Sequence, residues 1–298
     1  MPQWQKLTTN QKAILIMVAA SALIAATSLI AKALGDATAS RPALHPLQVS
    51  AGRFCFALSA LLVFLLATPA LRPSLAGAQW TLHLMRSLCG WLGVTAMFAA
   101  VARMPVGEAT AISFLSPIVT LALAALMLGE RVGARKVLAA GLALVGAVLI
   151  LRPGSDAFQL AGLLALAAAA LMGLEAIFIK RLTRSEPALR ILVINNMIGA
   201  VLAAGVAAFV WQVPTGVQWL LLICLGVVMV CGQALFLQSM KRGDASLVMP
   251  AFYAVLVFAA LFDFLLYQVV PSGFAFVGAA LIVLSAVFLA RMSARGTG

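Results

Sequence analysis

A short motif occurs twice in this chain. Gly107, Glu108, Ala109 and Thr110, just after Arg103, return as Gly243, Asp244, Ala245 and Ser246 after Lys241 and Arg242. The copies lie 136 residues apart, close to half of the 298-residue chain, so the sequence reads as one unit written twice. Each copy opens a long apolar segment, and a second apolar segment follows. If each unit holds five spans, an odd number, the copies must lie in opposite orientations across a bilayer. The expected fold is an all-α integral membrane protein of ten transmembrane helices, arranged as two inverted five-helix repeats. The repeats cover 1–152 and 157–298 and form one membrane domain.

Composition agrees with a lipid solvent. Hydrophobic residues make up 64% of the chain, charged residues 9%, and the mean hydropathy is +1.12. The net charge of +12 does not point to nucleic acid, because the basic residues form no dense run and instead punctuate apolar segments. Cys55, Cys89, Cys224 and Cys231 lie in apolar runs without CxxC spacing and read as small buried packing residues. The first apolar run, Ala13 to Leu34, is too long for a signal-peptide core and is read as a retained span.

At about 20 apolar residues per span, helices are expected near 13–34, 48–68, 80–102, 106–128, 136–151, 160–179, 190–210, 217–240, 246–270 and 273–291. Prolines and glycines fall in the connections. With the N-terminus in the cytoplasm, fourteen Lys and Arg lie on the inner side. The outer side holds four: Lys32, Arg41, Arg103 and Arg152. This positive-inside bias predicts both termini in the cytoplasm. Trp4, Trp80, Trp211 and Trp219 fall at membrane edges, while Trp91 lies mid-span.

The chain thus resembles the drug/metabolite transporter superfamily in its ten-helix form with two EamA-type repeats. The resemblance spans essentially the whole sequence. It rests on Gly107 and Glu108, mid-span Pro117, Gly129 and Glu130 closing the fourth helix, and Gly141 and Gly146 in the fifth. It implies a multi-pass protein of the bacterial inner membrane that moves small polar metabolites by alternating access, with a leaning toward export of aromatic or large apolar amino acids. A proton-coupled drug or nucleotide-metabolite transporter is the alternative. The second half departs from the pattern: Tyr253 stands opposite Pro117 and Leu266 opposite Glu130, so a role of Glu130 is not expected to be duplicated. The first span lacks the carboxylate that carries protons in the related small multidrug transporters.

Polar groups in hydrocarbon are costly and normally face a cavity or a partner. Arg86 and Glu175 lie at similar depth toward the cytosolic side, and Arg53 and Asp263 both lie in the outer half. These charges read either as structural ion pairs or as contacts for a zwitterionic substrate. On the third helix His83, Ser87, Gly90, Trp91 and Thr95 share one face, and Trp91 is near the midplane, where its ring offers a stacking surface. Pro117 and Pro250 are expected to kink the fourth and ninth helices and to free carbonyls beside Ser113, Ser116 and Ser246. Gln233, Asn195, Asn196 and Tyr253 complete the candidate lining. The small residues of the fifth and tenth helices suggest a peripheral face, giving a monomer or a weak homodimer through those helices.

The sequence carries no nucleophile with a base, no HExxH, no metal cluster and no phosphate loop, which argues against an enzyme, a cofactor or a bound metal. A membrane-embedded lipid-modifying enzyme using His83, Arg86 and Glu175 is the rival from another class.

Overall fold

The computed structural model describes residues 7–35, 42–101, 112–151, 160–268 and 272–295, all as helices and their connections. Among these residues there is no strand. That follows from the solvent: hydrocarbon offers the backbone no hydrogen bonds, so each span must satisfy its own. The helices are α1 (Thr9–Gly35), α2 (Pro46–Ala67), α3 (Trp80–Val101), α4 (Ser116–Leu128), α5 (Ala134–Leu151), α6 (Leu160–Ser185), α7 (Ala188–Ala207), α8 (Gly216–Arg242), α9 (Ala245–Val248), α10 (Ala254–Tyr267) and α11 (Gly273–Arg295). Seven helical segments among the described residues are long and apolar enough to cross a membrane, and α9 and α10 count as one of them. The protein is a multi-pass membrane protein.

Local chemistry sets several helix ends. Pro46 opens α2, where its missing N–H is not needed, and the His45 ring accepts a hydrogen bond from Leu47 N. Thr215 and Gln218 form a reciprocal capping box at α8. Trp80, Trp211 and Trp219 are exposed near helix ends, as expected for amphipathic rings at a membrane boundary.

Both expected kinks are breaks. Pro117 is the second residue of α4 rather than a bend within a longer helix, because a ring without an N–H fits a first turn and disrupts an interior one. Pro250 lies in a 3-10 turn, Met249–Tyr253, that separates α9 from α10. The two breaks touch, for the Tyr253 hydroxyl donates to the Phe114 carbonyl at 2.5 Å and the rings stand 5.8 Å apart. Residues 102–111, including Arg103, Gly107 and Glu108, lie outside the described residues, as do Trp4, Arg41 and Arg152.

Helix packing is pairwise. α1 packs along α8, α3 along α6, α2 against α7 and α8, α4 against α6, α10 against α1, and α5 against α11. The last crossing is close: a Cβ on Gly146 would stand 2.6 Å from the Gly278 carbonyl, and one on Gly278 would stand 2.5 Å from the Gly146 carbonyl. The Ser285 hydroxyl adds a bond to Ala139 O at 2.8 Å. Gly146, Gly278 and Ser285 of the small faces described above therefore meet within the chain, while Gly141 has nothing within 4 Å of it. Two cysteines also depart from expectation, since Cys224 and Cys231 are exposed rather than buried.

Candidate functional site

A cavity of about 250 Å³ lies among α1, α2, α3, α6, α7 and α8, with the start of α4 and the Met249–Tyr253 turn closing one end. Of the residues singled out in the sequence, Arg53, Arg86, Ser87, Gly90, Trp91, Ser116, Glu175, Asn195 and Gln233 line it. Helical spacing explains the α3 contribution, because Ser87, Trp91 and Val94 follow at intervals of four and three, with Arg86 and Gly90 beside them on the same face. Arg86 Nε and Glu175 Oε1 are 3.8 Å apart, an ion pair longer than a hydrogen bond. Gly90 makes room for that carboxylate: a Cβ there would lie 3.0 Å from Glu175 Cδ and from both its oxygens. Gln233 accepts a hydrogen bond from Asn196 Nδ2 at 3.3 Å, which fixes the amide from behind.

Three of the expected substrate contacts lie elsewhere. His83 is fully buried against Glu186, with Nε2 2.8 Å from the carboxylate, and serves helix packing. Tyr253 bridges the two helix breaks, and Ser113 is outside the lining. Asp263 pairs with Lys32 at 3.2 Å, whereas Arg53 stacks over the Phe54 ring at 4.1 Å and faces the cavity. Arg53 and Asp263, placed together by depth, are thus separated by orientation.

Sequence reasoning missed the apolar wall. Phe54, Met172, Met229, Phe236, Met249 and Phe252 surround the polar groups, and none differs in pattern from an ordinary packing residue. A second hollow of about 300 Å³ shares Ser50, Arg53 and Val94 with the cavity and leads to the α1–α2 connection at Gly35, Leu44 and Pro46.

The opposite end of the bundle is tied shut. The Glu130 carboxylate accepts from Ala245 N at 2.9 Å, Ser246 N at 2.9 Å and Ser246 Oγ at 2.7 Å, capping α9 from across the bundle. Asp244, the residue before α9, makes no side-chain cap and pairs with Lys136 at 3.4 Å. The Lys180 ammonium donates to Met240 O at 2.6 Å and Gly243 O at 2.5 Å. Glu186 repeats the device at α3, accepting from Gln79 N at 2.6 Å. Among the described residues no group of His, Cys, Asp and Glu is arranged to hold a metal ion.

Comparison with known proteins fits this architecture. A solved crystal structure superposes with a TM-score of 0.76 over 96% of this chain and 99% of its own, at 24% identity, which shows the fold. A riboflavin transporter of Vibrio cholerae is 31% identical over 228 residues, 76% of each chain. An S-adenosylmethionine uptake transporter of Rickettsia bellii is 27% identical over 246 residues, 83% of this chain and 84% of its own. The EamA-like transporter family matches residues 11–152 and again 159–291, and the chain belongs to that family.

Proposed function

We propose that this protein carries a small metabolite with a flat or large apolar part across the bacterial inner membrane by alternating access, the solute sitting in the central cavity against Trp91. The observation that carries this reading is the cavity itself. It places charged and amide groups beside an aromatic and thioether wall, at the junction of the two stretches that match the family. Aromatic amino acids, the class favoured by the sequence, and riboflavin, the solute named for the Vibrio relative, both fit that description.

The packing supports an inverted-repeat reading. Exchanging the five spans of one half for those of the other turns α1 on α8 into α6 on α3, and α4 on α6 into α10 on α1. The α2–α7 and α5–α11 pairs map onto themselves. With both termini in the cytoplasm, the hollow at the α1–α2 connection faces outward and the Glu130 cap closes the cytoplasmic end, an outward-open state.

The experiment is counterflow into liposomes holding only this protein, with radiolabelled riboflavin, tryptophan, phenylalanine and alanine. Exchange of a ring-bearing solute well above empty liposomes is expected. Failure of every solute to exceed empty liposomes would refute the reading.

A further inference from the structure

The cavity's charges do not cancel. Among the described residues, two guanidiniums, Arg53 and Arg86, and one carboxylate, Glu175, line it. At their ordinary charges the three side chains leave one positive charge in excess. The remaining charges described above are engaged elsewhere: Asp263 with Lys32, Asp244 with Lys136, Glu130 with α9 and Glu186 with α3.

Hydrogen bonding points the same way. The Arg86 side chain is 4% exposed, yet its Nε and Nη1 have no hydrogen-bond partner among the described residues. The neighbouring Ser87 Oγ, also buried, has none. Unmade bonds and uncompensated charge are costly in a low-dielectric wall, and an acceptor-rich anion removes both costs at once.

We propose that the cavity selects solutes of net charge −1 carrying a carboxylate, which accepts hydrogen bonds from Arg86 Nη1 and from Ser87 Oγ while Glu175 stays at the Nε edge and the rest of the solute lies along Trp91. This rests on the reading of the cavity as the solute site. A zwitterion satisfies the same donors but brings an ammonium, so the excess charge stays. A cation meets net repulsion, and a dianion overshoots the single excess charge.

The test uses the full chain in lipid nanodiscs and measures affinity by ligand-dependent thermal stabilisation. The probes are 3-phenylpropionate, phenylalanine, phenethylamine, phenyl phosphate and riboflavin. 3-Phenylpropionate should bind about tenfold more tightly than phenylalanine or phenyl phosphate, and phenethylamine should not bind. Charge-assisted hydrogen bonds of this kind correspond to a loss of about tenfold to a hundredfold when removed, the loss expected for Arg86→Gln. Ser87→Ala, which removes only a hydroxyl, should weaken 3-phenylpropionate several-fold with an unchanged melting temperature in its absence. Glu175→Gln should change affinity in the opposite direction, because it raises the excess charge. Equal binding of phenethylamine, tighter binding of riboflavin than of 3-phenylpropionate, or weaker anion binding by Glu175→Gln would overturn the proposal. Anion-selective binding with no counterflow of any solute, 3-phenylpropionate included, would instead overturn the transport reading and leave this one standing.

Discussion

Glu130 should govern which end of the cavity is open. Its carboxylate holds three donors at the start of α9 from the far side of the bundle, and opening the α4–α5 end requires that they separate. Glu130→Gln keeps one acceptor oxygen but presents an NH2 group to donors it cannot satisfy. Hydrogen bonds to charged groups contribute about 1.5 to 3 kcal/mol each, and losing two that share one carboxylate costs about 3 kcal/mol, less than their sum. At about 1.4 kcal/mol per factor of ten, the balance shifts roughly a hundredfold toward the state open at that end. The readout is a cysteine replacing Ser116 in the cavity lining, in a background without the four native cysteines, labelled by an impermeant thiol reagent in inside-out vesicles. Labelling should accelerate strongly in Glu130→Gln. A lowered melting temperature with an unchanged labelling rate would show that Glu130 is only a helix cap and refute the argument.

Three further outcomes are expected. Trp91→Ala should weaken counterflow of ring-bearing solutes about tenfold to a hundredfold, from the roughly 1.5 to 3 kcal/mol of an aromatic side chain's burial, while alanine is little affected; equal loss for all solutes would make Trp91 a packing residue. Neutralising Arg86 or Glu175 alone should impair expression or flux more than neutralising both, since a broken buried pair costs about 3 to 5 kcal/mol, and additive losses in the cycle would mean that they do not interact. An impermeant thiol reagent applied to intact cells should label a cysteine at Arg103 and not one at Lys241; equal labelling of the two would sink the orientation.

Helix positions were largely legible in the sequence, because the need for about 20 apolar residues per crossing leaves a strong local signal. Of the face read from helical spacing on α3, Ser87, Gly90 and Trp91 line the cavity, whereas His83 and Thr95 do not. Partnership across the bundle was not. His83 and Glu186 are 103 residues apart, and Glu130 and Ser246 are 116 apart, with nothing in their local spacing to join them. Glu130 was marked only as closing the fourth helix and Glu186 not at all, until the fold brings each to a helix start. Asp263 and Arg53 show the limit of depth as a guide: the rotation of each helix about its axis decides the partner, and the rise per residue does not encode the neighbour's rotation.

Three of the cavity's walls are thioethers, Met172, Met229 and Met249. An unbranched, polarisable side chain with three rotatable bonds reshapes itself around its guest at little cost, so this wall fixes no single outline. On the reading proposed above, rigid discrimination is left to the charged end, while rings of different outline share the apolar one. Chemically unrelated solutes with a common head group should therefore inhibit one another competitively. The same wall makes the carrier sensitive to oxidants, since a sulfoxide would place a polar, stiffer group where the guest's ring must slide.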